Sequence, residues 1–138
     1  MVKVHELNSL ALAYVGDAVY ELYVRHYLIE QGCFKPQQLH EAAVQFVSAP
    51  AQARLVKAWL QEDVLTKEER AVVRRGRNAK SHSIPKNIAV RDYKYATAFE
   101  ALVGYLYLSG KKERLEALMR DALKMNEDQD EGEEKTDE

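Results

Sequence analysis

Leu10-Ala11-Leu12-Ala13-Tyr14-Val15-Gly16-Asp17-Ala18-Val19-Tyr20-Glu21-Leu22 decides how this chain folds. The stretch is apolar almost throughout and holds no proline. It is preceded by Asn8 and Ser9, either of which caps a helix start. Gly32 stands where a left-handed residue closes a helix, so one long helix is predicted over 10–30.

Working outward, the same signals repeat. Pro36 opens a short helix to about Phe46, and Ser48 with Pro50 opens another to about Gln61. Thr66-Lys67-Glu68-Glu69 places Thr at the N-cap and Glu at the third helical position, a capping box that predicts a helix to about Ala79. Residues 80–90 include Ser81, His82, Pro85 and Asn87 with little apolar content, and read as a loop. An apolar helix over 91–108 ends at Ser109-Gly110. An amphipathic helix over 112–125 follows, with Leu115, Leu118, Met119, Ala122 and Leu123 on one side. There is no convincing alternating strand and no fixed-period repeat. The expected fold is all-α, one helical domain over residues 1–126.

The formal charge of −2 conceals an asymmetry. From Glu127 to Glu138 eight acids face Lys135 alone, a net −7, which leaves +5 on residues 1–126. The acidic end cannot bury apolar surface and is expected to be a disordered tail, while the mildly basic body permits a polyanionic partner. Cys33 is the single cysteine, which excludes an internal disulfide and a thiolate zinc cage. No apolar run is long enough to span a membrane, and 1–9 lacks the pattern of a secretory signal. A reducing, cytoplasmic setting is expected.

Asp17 sits in the middle of the first apolar helix and Glu100 in the middle of the second, Ala96-Thr97-Ala98-Phe99-Glu100-Ala101-Leu102-Val103-Gly104. An aspartate is a poor mid-helix residue, and a buried carboxylate is costly without compensation. One such acid is explained as well by an arginine partner or a backbone cap. Two, each with a glycine nearby (Gly16, Gly104), also fit a pair of hard oxygen ligands for Mg²⁺ or Mn²⁺. Glu21, one turn after Asp17, either joins them or pairs with Arg25.

Arg74-Arg75-Gly76-Arg77-Asn78-Ala79-Lys80 ends the fourth helix, and Lys86-Asn87 lies in the following loop. Cations at a helix C-terminus complement its dipole, but four in seven residues exceed that role and suit contact with nucleic-acid phosphates. The P-loop pattern is absent. His5, His26, His40 and His82 show no paired metal spacing, and Tyr14, Tyr20, Tyr23, Tyr95 and Tyr105 fall at core spacing on helices.

Leu12–Glu21 resembles the signature helix of the ribonuclease III family, and 97–104 resembles its second acidic helix. Arg75-Gly76-Arg77-Asn78-Ala79-Lys80 with Pro85-Lys86-Asn87 resembles the short bacterial branch, Mini-ribonuclease III. The likeness spans about 8–125. It implies an all-helical ribonuclease III-type endonuclease domain, working as a homodimer on double-stranded RNA. It further implies Asp17 as the principal catalytic acid and Glu100 as its metal-ligating partner, which fits Mg²⁺ or Mn²⁺ as cofactor; Glu21 and Thr97 are the candidates for a place behind them. The implied substrate is the precursor of 23S (large-subunit) ribosomal RNA, and the implied partners include a ribosomal protein or the assembling ribosome.

The longer enzymes carry acids where Leu10, Ala13 and Thr97 stand here, and a separate double-stranded-RNA-binding domain where this chain has its acidic end. RNA affinity then falls to Arg74, Arg75, Arg77, Asn78, Lys80, Lys86 and Asn87. The missing acids also fit an alternative, a non-catalytic RNA-binding or ribosome-associated helical module. A third reading is a dimerisation domain in which the two acids only satisfy hydrogen bonds.

Overall fold

A computed structural model describes residues 3–80 and 83–136. Six α-helices lie among them after a single 3₁₀ turn at Val4–Glu6: α1 (Ser9–Glu30), α2 (Pro36–Val47), α3 (Ala49–Gln61), α4 (Lys67–Arg77), α5 (Val90–Leu108) and α6 (Lys112–Thr136). No strand occurs among the described residues. The all-α expectation holds.

Local chemistry sets the helix starts. The Asn8 side chain accepts from Ala11 N and the Ser48 hydroxyl from Ala51 N. Thr66 and Glu69 form both halves of the capping box. Gly32 and Gly110 adopt φ of +89° and +71° after α1 and α5, where a side chain would be strained.

α5 is the central helix, packed by α1, α3 and α4. Its Ala96, Ala98, Phe99, Ala101, Leu102, Val103 and Leu106 are buried, as a largely apolar helix at the centre of a bundle requires. Phe99 is the hub: Tyr20 meets it edge-on at 4.7 Å between centroids, and Trp59 stacks on it at 5.7 Å. Trp59 Nε1 donates to Asp121 Oδ2 at 2.7 Å, fastening α3 to α6. The Tyr20 hydroxyl donates to the Phe46 carbonyl and accepts from Asn126, joining α1, α2 and α6.

One buried ion pair closes the side of the bundle. Glu69 is 3% exposed, and its carboxylate receives Arg114 Nε at 3.0 Å and a terminal guanidinium nitrogen at 2.9 Å. Burial works to raise its pKa, but the bonds from Arg114 and Thr66 outweigh that and hold it below the usual range.

α6 reaches Thr136, past the end near Met125 that its apolar face predicts. Glu and Lys there are good helix formers, set against Asn126, Asp128, Asp130 and Gly132, which are poor ones. The Tyr27 hydroxyl donates to Glu127 at 2.9 Å, so the acidic segment begins tied to α1. Two of the expected core tyrosines lie elsewhere. Tyr14 is largely exposed, and Tyr95 is half-buried beneath cations.

Candidate active site

α1 and α5 approach so closely that only glycine fits at two facing positions. A Cβ on Gly16 would collide with the carbonyl oxygen of Glu100 and come within 2.8 Å of Gly104 N. A Cβ on Gly104 would collide with the carbonyl oxygen of Leu12. These contacts bring Asp17, next to Gly16, against Glu100 on α5.

The two acids meet. Their carboxyl groups share a hydrogen bond, and Glu100 is pushed up to about 9, first by desolvation on burial, then by the bond and the charge of Asp17. Two carboxyls this close cannot both ionise cheaply, which favours a proton held between them. Asp17 itself is exposed and Glu100 half-buried, contrary to the expectation of two acids enclosed in the core. The apolar residues around Asp17 mislead because part of α1 faces outward: Tyr14 is 83%, Leu22 69% and, on α5, Tyr107 55% exposed. With Val15 and Ala18 they line a groove of about 760 Å³ that Asp17 borders.

No third Asp, Glu, His or Cys completes a metal-holding group among the described residues. Glu21 pairs with Arg25 at 2.9 Å, the second of its two readings. The Thr97 hydroxyl donates to the Tyr93 carbonyl at 3.0 Å within α5. It lines a separate groove with Leu10, Asn78 and Lys80.

The basic segment is split by α4. Arg75 lies on the side of α1, lining a cleft with His5, Glu68 and Tyr105. Arg74 and Arg77 lie on the side of α3, with Lys67, Arg70 and Tyr95. Lys86 and Asn87 are exposed in the loop before α5, while Ser81 and His82 fall outside the described residues. Lys67, Arg70 and Tyr95 lie outside the basic segment but line the same cleft as Arg74 and Arg77, and the spacing 67, 70, 74, 77 is a stripe along one helix face.

Residues 10–111 match the ribonuclease III domain family, most of the described body. The chain belongs to the ribonuclease III family. It is thereby an endoribonuclease. Among relatives, the Mini-ribonuclease 3 of Enterococcus faecalis is 54% identical over 86% of this chain and 90% of its own length. That of Brevibacillus brevis is 53% identical over 84% and 85%. A crystal structure of a Fusobacterium nucleatum protein superposes with a TM-score of 0.77 at 30% identity, covering 86% of this chain and 93% of that one. As in the sequence reading, no helix among the described residues is long and apolar enough to cross a membrane.

Proposed function

We propose that this ribonuclease III family member hydrolyses double-stranded RNA with a divalent cation, Mg²⁺ or Mn²⁺, held by Asp17 and Glu100. The observation that carries this is the shared hydrogen bond between the two carboxyls, with Glu100 raised to about 9. The donor set fits the ion: carboxylate oxygens are hard ligands, and two carboxyls in contact gain most from a cation replacing their proton. When bound, the cation supplies Lewis acidity and a more acidic water at a phosphodiester.

The chain's own residues do the rest. Gly16 and Gly104 hold the two acids in register through backbone contact rather than through a loop. Arg75, Lys80, Lys86, Asn78 and Asn87 are exposed on or after the end of α4, available to backbone phosphates, with Arg74 and Arg77 around the helix. Such contacts read duplex shape more than sequence.

The exposed apolar groove of Tyr14, Ala18, Leu22 and Tyr107 supports a homodimer with this face of α1 in the interface. On likeness to Mini-ribonuclease III, the substrate is the cytoplasmic precursor of 23S ribosomal RNA, presented alone or with a ribosomal protein on the assembling ribosome.

Incubating wild type and Asp17→Asn with duplex RNA and Mg²⁺ tests the reading. Cleavage by wild type is expected, with at least about 100-fold slower cleavage by the variant, because a lost ligand removes several kcal/mol of transition-state stabilisation. Equal rates in two folded proteins would remove the proposed centre.

A further inference from the structure

On the far side of α4 from Arg75 lies a second cationic feature. Lys67, Arg70, Arg74 and Arg77 follow one face of α4 and ring a cleft of about 430 Å³, backed by Leu60, Val73 and Tyr95. At the floor Arg77 approaches the Tyr95 hydroxyl at 3.5 Å, while Lys57 and Arg91 lie 4.8 and 5.9 Å from the Tyr95 ring centroid.

Helix electrostatics explain only part of this stripe: Arg74 and Arg77 sit in the last turn, where cations complement the dipole, but the other two do not. Lys67 occupies the first turn of α4, where a cation opposes the dipole. Arg70 and Arg74 stand one turn apart, a like-charge spacing that weakens a helix. Nor is the charge neutralised from outside: Arg70 pairs with Asp63 and Lys57 with Asp92, but among the described residues no carboxylate pairs with Lys67, Arg74, Arg77 or Arg91. A cleft left net positive by Lys67, Arg74 and Arg77 focuses field outward and attracts anions.

The shape of the stripe selects the anion. Ten residues of helix separate Lys67 from Arg77, about 15 Å along the axis. A nucleic-acid strand carries one phosphate per roughly 3.4 Å of duplex axis. Four cations in a line therefore match several successive phosphates better than one compact ion.

We propose that this α3–α4–α5 cleft binds the RNA backbone as a second phosphate track, with Lys67, Arg70 and Tyr95 belonging to it. The proposal rests on the RNA reading above and extends it to the opposite side of α4. With Arg75 in the cleft on the other side, RNA phosphates then have cations on both flanks of one helix.

The test measures the affinity of an Asp17→Asn background for duplex RNA across a salt series. Each phosphate contact contributes about 0.9 to the slope of log Kd against log salt in duplex DNA, and a comparable step is expected here. Lys67→Gln with Arg70→Gln should reduce the slope by about 1–2 and weaken binding roughly tenfold near 0.15 M salt, with an unchanged far-ultraviolet spectrum. Lys67→Arg should restore its share. An unchanged slope in the folded Gln variant, with the slope reduced in Arg75→Gln/Lys80→Gln, overturns the cleft while leaving RNA binding intact. Absence of RNA binding in the parent protein instead removes the underlying reading. A parallel arm adds tripolyphosphate to the parent and the Gln variant: thermal stabilisation lost in the variant, without any change in RNA slope, also overturns the proposal in favour of a small-anion site.

Discussion

The Cα of Gly16 lies so close to the carbonyl of Glu100 that a single methyl group there would overlap the oxygen. The residue after Gly16 is Asp17, so the contact that packs two helices also sets the two acids side by side. Gly104 makes the reciprocal contact with Leu12. The site is a product of backbone proximity in the core of the bundle.

Gly16→Ala should therefore damage both stability and activity. Overpacking usually costs about 1–3 kcal/mol, and a clash against rigid backbone belongs at or above the upper end. Urea denaturation should show that loss. A variant as stable and active as wild type would mean that α1 and α5 separate freely.

Stability without divalent cations should depend on pH through Glu100. Its pKa rises from the ordinary 4.5 to about 9 on folding, so the folded state binds the extra proton between those values. This contribution is complete below about pH 4.5 and disappears as pH climbs through 9. In EDTA, the melting temperature of wild type should fall more steeply from pH 6 to 9 than that of Glu100→Gln. Stabilisation by Mg²⁺ should grow over the same range, because the cation competes with that proton. Parallel slopes for the two proteins would refute the shared-proton arrangement.

Arg114→Ala should cost about 2–3 kcal/mol, since it leaves the buried Glu69 carboxylate without its main partner. Glu69 is held below its usual range, so its contribution is present above the unfolded pKa and lost as pH falls through the folded one. The penalty measured by denaturant melts at pH 7 should shrink in acid.

Leu22→Asp tests the exposed face of α1. The side chain is 69% exposed, so the isolated subunit should tolerate the change within about 0.5 kcal/mol. Light scattering should then report a monomer for the variant, against the dimer expected of wild type. A monomeric wild type would remove the interface from the proposal.

The helices were legible because their signals are local. The capping box of Thr66 and Glu69, the caps at Asn8 and Ser48, and Gly32 act within a turn of the residues that carry them. The meeting of Asp17 with Glu100 was legible as two misplaced acids, although not their degree of exposure. Tyr14 and Leu22 look like core in a sequence because an outward apolar face has the same composition as an inward one. Arg74 and Arg75 line different clefts because neighbours on a helix point about 100° apart. Gly76 was read with the cations, yet its role is steric: a Cβ there would lie 2.8 Å from the Cα of Ala98.

The single tryptophan stacks on Phe99, the residue immediately before Glu100, and its indole nitrogen is bound to Asp121. One intrinsic fluorophore thus stands beside the middle of α5, next to the residue that precedes Glu100. Its emission should follow the loosening of that helix without any label, and any quenching change on adding cations would be a direct optical trace of events one peptide unit away.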